Sequence, residues 1–239
     1  MIQMRRMTTL AIGLATLLMV APATANVNKS ITIGDNTESG SESTVNGSIS
    51  VGSGATVNGS LETVNGTIRV GEDSQVRDVE TVNGSIRLAS GVVARDIGSV
   101  NGSIRLGENV TVDGEIDVVN GKIALGEGSK VSRGVENVNG EITINGAEVG
   151  DDVKTVSGDI SLENGAVVRG DIVVEEPGGW GWNRSSRKPR IIIGPGTTVA
   201  GNIRLEREVE LYISETAEIG GVTGEMSLSD AIRYSGARP

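Results

Sequence analysis

The chain has 239 residues, 31 acidic and 21 basic, and contains no histidine, cysteine or phenylalanine. Without histidine and cysteine it lacks the commonest general base, the thiolate nucleophile, disulfide bridges and the usual transition-metal ligands, so catalysis would fall to carboxylates or lysine. A formal net charge of −10 works against binding to nucleic acid or to an anionic membrane surface.

In chain order, Arg5 and Arg6 precede an apolar run from Leu10 to Val20, and Ala23-Thr24-Ala25 follows it. This pattern predicts a secretory signal peptide over residues 1–25 with a small-residue cleavage site. Its apolar core is short for a membrane span and no later stretch approaches eighteen apolar residues, so no integral membrane span is expected. The expected product is an exported protein, periplasmic or extracellular, beginning near Asn26. Losing the two arginines leaves its acidic residues in excess by twelve.

Residues 26–43 read as an N-terminal cap, in which Ile31-Thr32-Ile33-Gly34 looks like part of a coil and 35–43 like a polar loop. A repeat then begins. Val-Asn-Gly, or Val-Ser-Gly in the last unit, recurs in units that start at Thr44, Thr63, Thr81, Ser99, Val118, Asn137 and Thr155, spaced by 18 or 19 residues. Self-similarity at a fixed short period marks a stacked repeat. Within a unit, β-branched residues two apart predict short strands. The Asn-Gly, Gly-Glu-Gly and Asp-Gly segments between them predict three corners. The expected fold is all-β: a single-stranded parallel β-helix, or β-solenoid, over residues 44–226, with about ten coils and 18–19 residues per coil.

Stacking would set equivalent residues about 4.8 Å apart. Three interior columns are expected, running from Ile49 to Ile160, from Val51 to Leu162 and from Val57 to Val168. With only Trp180, Trp182, Tyr212 and Tyr234 aromatic, the interior is expected to be aliphatic. Asn46, Asn65, Asn83, Asn101, Asn120 and Asn139 share one corner, where Asn-Gly tolerates left-handed backbone and stacked amides can form a hydrogen-bonded ladder. Asn46, Asn58, Asn65, Asn83 and Asn101 also match the N-glycosylation acceptor pattern, which the repeat generates by itself.

After Val174 the repeat is interrupted over residues 175–190 by a segment containing Trp180, Trp182, Arg184, Arg187, Lys188 and Arg190. Tryptophan stacks on sugar rings and arginine pairs with phosphate or carboxylate, so this insertion is the candidate ligand or partner loop; the competing reading folds both indoles back as a surface patch. Residues 227–239 leave the pattern and read as a tail, with a short helix near Ser229 to Arg233 or no fixed structure. Along the coils Arg69, Arg87 and Arg105 share one outward column, and Glu62, Glu80, Asp117 and Glu136 another. These read as solvated faces relieved by neighbouring charges.

The half-unit Gly-x-x-Val-x-Gly-x-Ile, at Gly54 to Leu61 (with Leu last), Gly165 to Ile172 and Gly196 to Ile203, resembles the bactofilin or polymer-forming cytoskeletal family of bacteria. That resemblance implies a right-handed β-helix whose ends meet in filaments formed without nucleotide. The chain departs from the family in its signal peptide and in its Val-Asn-Gly half. The leading expectation is an exported, non-enzymatic structural or scaffold solenoid that associates with itself end to end through unpaired terminal strands. A cell-envelope glycan-binding module using the insertion is the alternative, and a polysaccharide-acting enzyme, which needs two facing carboxylates, is the third. No cofactor or metal is expected: Asp151 and Asp152 fit neither the EF-hand nor the Gly-Gly-x-Gly-x-Asp pattern.

Overall fold

The computed structural model describes residues 27–178 and 187–239. Alternating in-and-out side chains make each strand two-sided, and the corner residues between them keep most strands to two to five residues. The strands stack in three parallel rows. The first face runs in strict chain order through eleven strands, from Ile31–Ile33 and Ile49–Val51 to Arg190–Ile193, Glu210–Ser214 and Ile232–Tyr234. The second face uses two-residue strands such as Thr111–Val112, and the third longer ones such as Ile97–Asn101. Each pairs in parallel with its copies one coil before and one after. The chain is a β-solenoid of about 10 turns, roughly 50 Å long at the rung spacing of a β-ladder. Among the described residues no helix is long and apolar enough to cross a membrane.

The period places the core. Ile49, Ile68, Ile86, Ile104, Ile123, Ile142 and Ile160 form one register-matched column, each 0–1% exposed. The columns from Val51 to Leu162 and from Val57 to Val168 are buried beside it. Leu61, Val79, Ile97, Ile116, Val135, Val153 and Ile172 supply a fourth, on the third face.

One interior column overturns the expectation of a purely aliphatic core. Thr44, Thr63, Thr81, Ser99, Val118, Asn137 and Thr155 point inward and are buried, which turns the valines of Val-Asn-Gly outward. Five of the six polar members satisfy backbone carbonyls at the corner of the preceding coil, while the Thr155 hydroxyl accepts from the Gly158 N–H. Thr44 and Thr63 donate through Oγ1 to the carbonyls of Lys29 and Gly47 at 2.9 Å, and Asn137 donates through Nδ2 to that of Gly121 at 2.9 Å.

The Asn-Gly corner also has a different cause from the one expected. None of its six asparagines has a positive φ. Its glycines are needed for space: a Cβ on Gly66 would lie 1.8 Å from the Gly47 carbonyl oxygen, and one on Gly102 would lie 1.6 Å from that of Gly84. Successive coils touch backbone to backbone here, and only glycine leaves room. Among the described residues Gly140 is the one glycine of this corner with a positive φ; the run of left-handed residues sits at the following corner, where Asn36, Gly54, Asp73, Gly91, Asn109 and Gly128 succeed one another.

Both ends differ from the polar loop expected at 35–43 and the tail expected at 227–239. Glu38–Ser39 and Glu42–Thr44 pair with Thr56–Val57 and Leu61–Thr63, so residues 35–43 belong to a rung. Its inward positions are polar: Ser39 and Glu42 stand in register with Val57 and Leu61, and Ser39 Oγ donates to Glu42 Oε1 at 2.7 Å. At the other end a 3-10 turn, Leu228–Asp230, replaces the expected helix, and Met226 and Ala231 pack on the core around it. The chain then adds Ile232–Tyr234 to the edge of Glu210–Ser214.

Candidate functional site

The insertion leaves the third face after Ile172–Val174 and returns to the first face at Arg190–Ile193, so that Ile160 pairs with Ile191 across the interruption. Trp180, Trp182 and Arg184 lie outside the described residues. The cations at its returning end are tied to the solenoid. Arg187 Nη2 lies 2.5 Å from Asp159 Oδ2, Lys188 Nζ 2.7 Å from Glu208 Oε2, and Arg190 Nε 3.0 Å from Glu210 Oε2. The Lys188 ammonium holds the Glu208 carboxyl below its ordinary range. The Arg190 guanidinium also sits 5.8 Å from the centre of the Tyr212 ring. These three side chains are paired within the chain, although the sequence offers them as free ligand contacts.

Beside this returning end, a half-enclosed groove of about 990 Å³ lies along the first face. Outward residues Ser161, Ile192 and Tyr212, stacked in register on consecutive rungs, run along the same face. Ser161, Ile192, Asp159 and Arg190 line the groove on the strand side, and Glu163, Glu215 and Tyr234 stand toward the strand ends. The tail, from Ser235 to Pro239, forms an outer wall. Tyr234 is buried, its hydroxyl donating to the Ile193 carbonyl at 3.4 Å. Burial, with the Glu163 charge, pushes its phenol above the ordinary value.

The sequence hides this groove but carries a trace of it. Earlier outward positions of the first face hold Ser50, Arg69, Arg87, Arg105, Ala124 and Thr143, whereas Ile192 and Tyr212 put large apolar side chains there and break the alternation of apolar and polar residues. Arg69, Arg87 and Arg105 stack in register and are exposed to solvent, away from the groove.

The acidic column of the third face is only partly relieved. Glu62 faces Glu80 and Asp117 faces Glu136 across adjacent rungs, with Gly98 between the two pairs. Lys154 Nζ meets Glu136 Oε1 at 2.9 Å, and Arg133 meets Asp96 at 3.1 Å. Glu80 Oε2 is buried without a hydrogen-bond partner. Burial, then repulsion from Glu62, Asp78 and Asp96, pushes the Glu80 carboxyl up to about 7. Burial, then Glu136, Glu115 and Asp96, pushes Asp117 up to about 8 against the opposing pull of Arg133. Among the described residues no group of three or more acidic side chains is placed to hold a metal ion.

The asparagine amides are joined in series. Asn46 donates to Asn28, and each of Asn65, Asn83, Asn101, Asn120 and Asn139 donates through Nδ2 to the Oδ1 of the asparagine one coil before, at 2.9 to 3.1 Å. The ladder is exposed, and its hydrogen bonds run along the solenoid axis.

In comparisons with known proteins, the chain matches no family model, no curated protein and no solved structure. The resemblance to bactofilins therefore rests on the half-unit motif alone.

Proposed function

We propose that the chain is an exported, non-enzymatic scaffold: a rigid acidic rod. The observation that carries this reading is the first-face ladder, continuous through eleven strands and unbroken by the insertion. A fold of this kind gives its stability to length and straightness, with each coil held by its neighbours. Ile31–Ile33 and Glu38–Ser39 at one end, and Glu218–Gly224 and Ile232–Tyr234 at the other, pair on one side only among the described residues, so a second copy would add end to end, the N-terminal coil of one against the C-terminal edge of the next. Because the inward positions of that coil include Ser39 and Glu42, such a contact would rest more on backbone pairing than on apolar burial.

Sedimentation velocity over a concentration series, on the chain from Asn26, tests self-association. Concentration-dependent growth into long species supports it, and a rod-shaped monomer at every concentration removes it while leaving the rod. Turnover of an envelope polysaccharide by the purified chain would overturn the non-enzymatic part.

A second reading, a module that binds cell-envelope glycan, is favoured by one observation: the groove beside the returning end of the insertion is the place where the outward face becomes apolar. Peptidoglycan pull-down with the chain and with Trp180→Ala/Trp182→Ala separates a contribution of the loop from one of the groove.

A further inference from the structure

We infer that the first-face groove takes an extended amino-sugar chain with free amines, laid along the solenoid axis; this rests on the glycan-binding reading and names the ligand class. The direction follows from the fold. Ser161, Ile192 and Tyr212 occupy the same register position on consecutive rungs, about 4.8 Å apart, close to the advance of one β-1,4-linked pyranose along its chain. A groove of about 990 Å³ is at the upper end of the range for ligand sites, which suits a short run of such sugars.

The floor and the rim divide the recognition. Ile192, in the lining, and Tyr212, in register with it one rung beyond the lining, offer an apolar strip of the kind that packs on the carbon-bound hydrogens of a pyranose ring. Among the groove's carboxylates, Glu141 is paired with Lys122 and Asp159 with Arg187, while Arg190 is held by Glu210. Glu163 and Glu215 have no cationic partner among the described residues. Among the described residues the Glu163 carboxylate accepts only the Ser161 hydroxyl, at 3.1 Å. Two unpaired carboxylates beside an apolar strip fit hydroxyl-rich rings carrying ammonium groups and repel a uronic acid or a phosphate. Arg238, on the outer wall, is the one cation of the lining outside these pairs.

A cationic peptide is the other ligand with this charge. A peptide that adds as a strand needs a free sheet edge. The groove's floor lies on strands whose backbone already pairs above and below; the one free edge beside it among the described residues, that of Ile232–Tyr234, faces the end of the solenoid, so along the groove only side chains are available for recognition. That favours the sugar.

The test is calorimetric titration of the full chain, at mildly acidic pH and low salt, with three probes: a β-1,4-glucosamine tetramer, its fully N-acetylated counterpart and cellotetraose. The expected result is that the free-amine tetramer binds at least about tenfold tighter than the other two, a difference of about 1.4 kcal/mol. Glu163→Gln/Glu215→Gln should erase that preference, and Ile192→Ala, in the lining, should weaken all three ligands. Both sites are on the outward surface, and matching thermal melts by circular dichroism confirm that the variants are folded. Equal binding of the three probes, or a preference that survives Glu163→Gln/Glu215→Gln, overturns the amine assignment and leaves the glycan reading standing. Binding of none of them, with no retention on peptidoglycan, overturns both. Displacement of the sugar by tetralysine at equal affinity overturns the assignment in favour of a peptide.

Discussion

Between Thr44 and Asn145 the solenoid repeats itself, whereas between Arg190 and Gly224 it keeps the ladder and changes almost everything outside it. In the first region each coil turns onto the first face through Asn-Gly, and the asparagine amides form one continuous chain. In the second that corner is absent. The second and third faces fuse into one strand, Thr198–Leu205, whose pairing with Glu218–Gly224 shifts between Val199 and Asn202. The inward residues stay buried: Ile191, Ile193, Val199, Ile203, Leu205, Leu211 and Ile213 are as closed to solvent as their counterparts earlier in the chain, and Leu205 puts an aliphatic side chain into the column that held Thr81, Asn137 and Thr155. The core constrains only what points inward. Outward positions are free to vary, and so are corners where successive backbones do not touch, and both vary where the groove lies.

If the corners of the first region are fixed by backbone contact, the largest loss should come from Gly102→Ala. A Cβ there would lie 1.6 Å from the Gly84 carbonyl oxygen, and neither backbone can retreat without opening a rung. Urea unfolding should show a loss of about 3 kcal/mol or more. Gly40→Ala, with nothing within 4 Å of its added Cβ, should change stability by less than about 0.5 kcal/mol. Similar effects at the two sites would mean that the coils do not touch at this corner.

Core truncation should come next. Ile123 is fully buried between Ile104 and Ile142, so Ile123→Ala should cost about 3 kcal/mol by the same measurement. Ile232 stands 53% exposed on the last strand, and Ile232→Ala should cost less than about 0.5 kcal/mol. Comparable losses would place the last strand inside the same cooperative core.

How far the sequence led depends on which side of the strand a residue occupies. The isoleucine column from Ile49 to Ile160 was legible because burial admits few residue types and the period repeats them. The inward threonines were not, because Thr63 and Val64 are both acceptable in a strand and only the carbonyl at the neighbouring corner decides which turns in. Ser39 and Glu42 read as loop residues, since a polar side chain at an inward position looks like the end of a pattern; in a terminal coil it is the end of the stack. For the groove, Ile192 and Tyr212 gave a visible break in alternation, but Glu163, Glu215 and Tyr234 reach it from separate coils. No spacing in a single sequence brings those three together.

The acidic third face supplies a pH test that the Arg190–Gly224 region does not share. Asp117 and Glu80 have folded-state values of about 8 and about 7, above the ordinary 3.8 and 4.5. Between the ordinary and raised values the folded chain holds protons that the unfolded chain has released, so their contribution to stability is complete at low pH and is lost as pH rises through the raised values. The thermal midpoint should therefore fall between mildly acidic and mildly alkaline pH. Asp117→Asn should raise stability at the alkaline end by roughly 2 kcal/mol, after discounting for partial exposure, and should flatten the pH dependence. An unchanged slope in Asp117→Asn would show that this carboxyl is already ionised in the folded rod.

The smallest expected effect concerns the ladder that distinguishes the two regions. Asn101 donates to Asn83 and accepts from Asn120, so Asn101→Ala removes both bonds. They are exposed and exchange with water, and the net loss should be only about 1 kcal/mol. Asn58, which matches the same glycosylation pattern but has no side-chain hydrogen bond among the described residues, should tolerate alanine with almost no change. The double variant Asn101→Ala/Asn120→Ala is the sharper measurement. Because the two residues share one bond, the pair loses three bonds rather than four, and its cost should fall short of the sum of the single variants. A strictly additive cost would mean that the amides act as separate surface groups and that the Asn-Gly corner is held by its glycines alone.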